Sequence, residues 1–121
     1  MLIALSAMHG RHEVSRAWAE HTASLGFDMV VVAVTMNEGP ENIEACLKYG
    51  MWLEAFPNEP LSGKFNGAIG IAYRQGATRI MILPSDDFVS REWVESARNS
   101  TEDYIIPHTC AILDAYTQNA Y

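Results

Sequence analysis

Two stretches of the chain, residues 2–8 (LIALSAM) and 27–35 (FDMVVVAVT), are apolar at nearly every position instead of every second one. A strand with one wet face alternates, whereas a run this continuous needs cover on both faces, the condition of a strand in a parallel sheet lying between helices. The segment between them supplies such a helix. Val14, Ala17, Trp18, His21 and Leu25 fall on one helical face, and Gly26 follows where a helix stops.

The alternation continues. Gly39-Pro40 opens a short helix carrying Ile43, Cys46 and Leu47, ending near Gly50, and residues 51–56 (MWLEAF) form a third strand. From about Ser62 a helix places Phe65, Ala68, Ile69, Ala72 and Tyr73 on one face and ends near Gly76. An apolar strand over 79–83, the turn Pro84-Ser85-Asp86-Asp87 and a helix over 90–98 with Ser90 as its N-cap come next. A last strand is expected at 104–107, continuing irregularly through Cys110 to Leu113. Strand and helix alternating in this way define an α/β fold, a three-layer sandwich with a mainly parallel, Rossmann-like central sheet. With 121 residues, 49% of them hydrophobic, and no repeat or linker, one domain over 1–121 with a packed core is expected.

Charge narrows the partners. Eight Lys and Arg against 15 Asp and Glu give a net charge of −7, and the cations are scattered, so nucleic acid is not an expected partner. An acidic chain that binds an anion needs local devices: backbone N–H groups at a helix start, a placed cation, or a metal held by carboxylates. Cys46 and Cys110 match no zinc or redox spacing. No apolar stretch approaches the roughly 20 residues of a membrane span, and no basic region precedes the first apolar run, so a cytoplasmic location is expected.

Ligands of open α/β sheets bind beyond the carboxyl ends of the strands. Four segments qualify: 6–11, 35–38, 58–66 and 84–87. In the last, Asp86 and Asp87 stand side by side after an apolar strand, a place to hold Mg²⁺ or Mn²⁺ through carboxylate and substrate phosphate oxygens. Read by themselves, the same residues cap the following helix. Lys64 and Asn66 open a helix, where N–H groups favour anions. Ser62-Gly63-Lys64 lacks the first glycine of a nucleotide-triphosphatase loop, and Phe65 replaces its hydroxyl residue. Taken alone, Lys64 reads as a solvated cation. His9 and His12 bracket a loop, His21 shares an apolar helix face, and His108 has no ligand partner by spacing.

Taken together, an Asn- and Pro-rich loop, Leu-Ser-Gly-Lys-Phe-Asn, a helix, an apolar strand and Ser-Asp-Asp resemble the nucleotide-sugar half of GT-A glycosyltransferases, especially the inverting family 2 type. The family's cation-x-Asn is matched by Lys64-Phe65-Asn66, and its Asp-x-Asp or Asp-Asp by Asp86-Asp87. The resemblance covers residues 1 to about 105 and is most specific over 57–90. It implies a nucleotide-diphospho-sugar ligand, Asp86 on the ribose, and Asp87 on a Mn²⁺ or Mg²⁺ bridging the diphosphate. It further implies Lys64 and Asn66 near the base or phosphates, and the loop from Ser6 to Arg11 as one wall.

The sequence departs from that pattern in two places. The family's base-reading Asp is replaced by Thr35-Met36-Asn37-Glu38, which leaves Asn37 or Glu38 for that role, and Lys64 stands where Arg is usual. The family's acceptor site and catalytic base lie well downstream of the metal motif. A donor-binding half, minimal or truncated, is therefore implied; its catalytic residue is open, Glu102-Asp103 comes too early, and Asp114 is the only later carboxylate. Exposed apolar surface would then favour a homo-oligomer. The alternative is a non-catalytic α/β module that binds a nucleotide or a protein. A phosphotransfer receiver would need an acidic pair after the first strand, where Ser6-Ala7-Met8-His9 stands.

Overall fold

A computed structural model describes residues 1–106 and, beyond them, the backbone of 113–114 and 119–120. The elements in chain order are β1 (Leu2–Met8), α1 (His12–Ala23), β2 (Met29–Thr35), α2 (Pro40–Lys48), β3 (Trp52–Phe56), α3 (Leu61–Arg74), β4 (Arg79–Ile82) and α4 (Arg91–Asn99). The pieces β5 (Leu113–Asp114) and β6 (Asn119–Ala120) pair antiparallel with each other. The four long strands form one all-parallel sheet in the order β3-β2-β1-β4. The α/β class and the parallel sheet expected from the sequence are what the chain adopts. No helix among the described residues is long and apolar enough to cross a membrane.

Both faces of β1 and β2 are covered, which is why their sequences do not alternate. Ala4, Met8, Val30, Val32 and Val34 pack against Trp18 and Ala19 of α1 and Ala45 and Cys46 of α2. On the opposite face Ile3, Leu5, Val31 and Ala33 meet Ala68, Ile71 and Ala72 of α3. Helix α4 joins the α1 layer through Val94, which packs with Leu2 and Leu25. The strands at the two edges are less covered, and Trp52 of β3 and Ile80 and Ile82 of β4 are exposed. Helices α1, α2 and α3 are each followed by a glycine in the left-handed region, Gly26, Gly50 and Gly76, which lets the chain turn back toward the next strand.

The helix faces differ from those the apolar spacing predicts. In α1 the buried residues are Ser15, Trp18, Ala19 and Thr22, while Val14 is exposed. Asn42, Ala45 and Cys46 are buried in α2 and Leu47 is exposed. Lys64, Ala68, Ile71 and Ala72 are buried in α3, with Tyr73 exposed. In each of these three helices the first turn turns a polar residue inward, toward the strand ends. The strand expected at 104–107 is not formed at residues 104–106. Pro107, Cys110 and the side chains of His108 and Asp114 lie outside the described residues, and Leu113 falls in the short strand β5.

Candidate functional site

Strand β1 is followed by β2 on one side, while β4, reached from β3 through α3, lies on the other, so the direction of winding reverses between β1 and β4. The crevice outside the carboxyl ends at such a reversal is where open α/β sheets bind ligands.

On the β1–β2–β3 side, the ends are gathered by one ammonium. Lys64, 1% exposed, donates from Nζ to the Met8 carbonyl at 2.9 Å, Thr35 Oγ1 at 2.8 Å and Asn58 Oδ1 at 3.0 Å. An ammonium has three hydrogens to donate, and each has an acceptor here. Beside it lies Glu38, whose side chain is 3% exposed. Its Oε1 accepts from the Gly10 N–H at 3.0 Å and from Asn42 Nδ2 at 2.8 Å. Asn42 Nδ2 and Ser15 Oγ in turn donate to the Gly10 carbonyl. The peptide groups of the loop after β1 are thus held from two helices and the β2 loop at once. Burial pushes the Lys64 ammonium down from its ordinary range, and the Glu38 carboxylate opposes that shift. The Cys46 thiol, buried nearby and also facing Glu38, is pushed up to about 11.

The β4 side is built differently. Leu83 N–H donates to the Leu5 carbonyl, and a turn closed by Asp87 N–H on the Pro84 carbonyl leaves Asp86, Asp87 and Phe88 exposed above buried Ser85. Arg11 reaches across from the β1 loop, its Nη1 donating to Asp86 Oδ2 at 2.9 Å and its Nη2 to Ser85 Oγ at 3.4 Å. Gly10 and Arg11 both have positive φ, 58° and 49°, a conformation that costs arginine but directs this side chain over the crevice. The far end of the turn is tied by His21, which donates from Nε2 to the Val89 carbonyl at 2.7 Å and lies against the Phe88 ring. Partial burial and the neighbouring Asp86 raise the Asp87 carboxyl above its ordinary range. Capping of α4 falls to Ser90, whose Oγ accepts from Trp93 N–H, so neither aspartate is spent on that task.

The structure brings Arg11 and Asp86 into contact and puts Lys64 under the same edge. Lys64 is not the solvated cation its sequence neighbourhood suggests, because the chain folds three acceptors around it. Ser6 is fully buried within β1 and its Oγ has no partner among the described residues, so it lines no wall of the crevice. Asn37 lies exposed in the turn after β2, and Asn66 is exposed on α3. Thr35, Asn42, Asn58 and Ser15 are organising residues that spacing did not single out. The signal available for Asn42 and Ser15 was a polar residue standing where a helix's first inward position is otherwise apolar.

Among the described residues no three His, Cys, Asp or Glu side chains converge as a metal cage. Asp87, exposed and not engaged by Arg11, suits the other mode of binding Mg²⁺ or Mn²⁺, in which one or two carboxylates share the ion with substrate phosphates. Two cavities, about 250 and 120 Å³, lie at the amino ends of the strands instead. The larger is bordered by Arg79 and Arg98, but these guanidiniums are occupied by the carbonyls of Gly26, Ser100 and Glu102 and by the Asp28 carboxylate. Chemistry, not cavity size, therefore locates the candidate site. The fold and this edge define an α/β chain of Rossmann-like architecture. Compared with known protein families, curated proteins and solved structures, the chain finds no match.

Proposed function

We propose that this chain binds a nucleotide-diphospho-sugar at the carboxyl edge of its sheet, with Mn²⁺ or Mg²⁺, as the donor-binding domain of a GT-A type glycosyltransferase. The observation that carries this reading is the pair of adjacent aspartates beyond β4, one tied to Arg11 from the β1 loop and the other left toward solvent at the winding reversal. Asp87 would hold the metal together with the diphosphate, and the metal would neutralise charge developing on the leaving group. Arg11, released from Asp86, is positioned to take a phosphate oxygen, and Asp86 is then free for a ribose hydroxyl. The network around Lys64 and Glu38 holds the loops that frame this crevice.

Transfer also requires an acceptor and a group that takes the proton of its hydroxyl. A second reading, a non-catalytic nucleotide-binding module, draws on the Arg11–Asp86 pair, which already neutralises one of the two carboxylates.

Thermal stabilisation by UDP, GDP and CDP and their sugars, with and without Mn²⁺, tests the proposal. A ligand at 100 times its Kd should stabilise by about 2.7 kcal/mol. A metal-dependent shift with one nucleotide, lost in Asp87→Ala, is expected. Absence of a metal-dependent shift with any nucleotide contradicts the reading, and release or transfer of sugar separates the enzyme from the module.

A further inference from the structure

His9, at the carboxyl end of β1, is 61% exposed, yet its Nδ1 is anchored inward, 2.8 Å from Thr35 Oγ1 and 3.6 Å from Glu38 Oε2. The protons of this cluster can be placed by elimination. Thr35 Oγ1 receives one hydrogen from Lys64 and has a hydrogen of its own, for which Asn58 Oδ1 lies at 3.4 Å and His9 Nδ1 at 2.8 Å. Distance alone favours the histidine as acceptor. Glu38 reverses that choice: its Oε2 is buried, has no hydrogen-bond partner among the described residues, and lies beside the same nitrogen. A lone pair on Nδ1 would face a buried carboxylate oxygen, whereas an N–H there faces two acceptors. Thr35 then gives its hydrogen to Asn58, and every member of the cluster has a consistent role.

We infer that His9 is held as the Nδ1–H tautomer and presents the lone pair of Nε2 to the crevice, as an acceptor for an N–H or O–H donor of a bound nucleoside. Nε2 makes no hydrogen bond among the described residues. The inference rests on the proposed nucleotide-binding reading and deepens it: Thr35 and Glu38 are positioning residues, and His9 selects ligands that carry a donor. The shared chemistry has two sources, a ribose hydroxyl or a base N–H.

Long-range ¹H–¹⁵N spectra of the full chain at about pH 8, above the ordinary imidazole range, read the tautomer directly, with His9→Gln assigning the signals. The expected result is a protonated Nδ1 and an unprotonated Nε2 in the free protein. Adding Mg²⁺ with UDP, GDP or CDP should shift the His9 Nε2 signal, and His9→Ala should weaken the bound nucleotide about tenfold, as for loss of one hydrogen bond. If a 2′,3′-dideoxy analogue gives the same shift, the donor is a base N–H; if the shift is lost, it is a ribose hydroxyl. An Nε2–H tautomer, or nucleotide binding that leaves Nε2 and the His9→Ala affinity unchanged, overturns the inference while the nucleotide reading stands. No binding by any nucleotide removes both, even with the Nδ1–H tautomer present.

Discussion

The ends of β1, β2 and β3 and the loop beyond β4 lie on one edge of the same sheet, yet they treat charge in opposite ways. On the first side an ammonium and a carboxylate are buried within one hydrogen-bonded cluster, and all three hydrogens of Lys64 are used by the protein. On the second, Arg11, Asp86 and Asp87 stand at the surface, and their interactions compete with water and salt. Burying a charge costs several kcal/mol unless it is paired and hydrogen-bonded, so the first arrangement persists because all three Lys64 hydrogens and Glu38 Oε1 are engaged. The second can exchange partners cheaply. One side is built to stay fixed and the other to change when a ligand arrives.

Substitutions on the two sides should therefore differ in size. Lys64→Met removes the common donor of three acceptors and leaves Glu38 buried without its compensating charge. A loss of about 3 kcal/mol in urea unfolding is expected. A loss below about 1 kcal/mol would mean that the strand ends are held by something else. Thr35→Val takes away one of those acceptors and should cost about 1–2 kcal/mol by the same measurement.

On the exposed side, Arg11→Ala breaks an ion pair between half-exposed partners and should cost about 0.5 kcal/mol, vanishing in about 1 M salt. A salt-independent loss as large as that of Lys64→Met would erase the contrast between the sides.

Asp87→Asn is expected to act with the opposite sign. The Asp87 carboxyl is held above 3.8, so the native protein binds that proton more tightly than the unfolded chain, and native stability falls as pH rises through the window above 3.8. The variant lacks this cost. It should be slightly more stable than the parent at neutral pH, by less than the loss in Arg11→Ala, with the difference closing as the pH falls well below 3.8. The smallest effect is no reaction: in a Cys110→Ser background, Cys46 should not be labelled by a thiol reagent at about pH 8 while the protein is folded, because its thiol is buried and pushed up to about 11.

The same contrast explains what was legible in the sequence. Continuous apolar runs at 2–8 and 27–35 announce strands covered on both faces, and the glycines after α1, α2 and α3 announce their ends, so the α/β order follows from local pattern. Asp86-Asp87 is legible as well, because two carboxylates at a strand end are locally conspicuous. The cluster under the other strands is not. Ser15, Asn42 and Lys64 occupy inward positions in the first turns of α1, α2 and α3, and a hydrophobic periodicity assigns those positions outward. For Asn42 and Lys64 that burial depends on the carbonyls of Gly10 and Met8, 32 and 56 residues away, which no local window contains. Likewise the exposure of Val14 and Tyr73 follows from which face the sheet offers, not from their own apolar character.

Whether a nucleotide diphosphate occupies the carboxyl edge is measured most directly by paramagnetic broadening of backbone amide signals when Mn²⁺ is added with the nucleotide that stabilises best. The expected result is broadening confined to Gly10–Arg11, Asn37–Glu38 and Asp86–Phe88, absent with Mn²⁺ alone at the same concentration and lost in Asp87→Ala. Broadening centred instead on Thr78, Arg79 and Arg98 at the amino ends, or the same pattern in Asp87→Ala, would contradict the account.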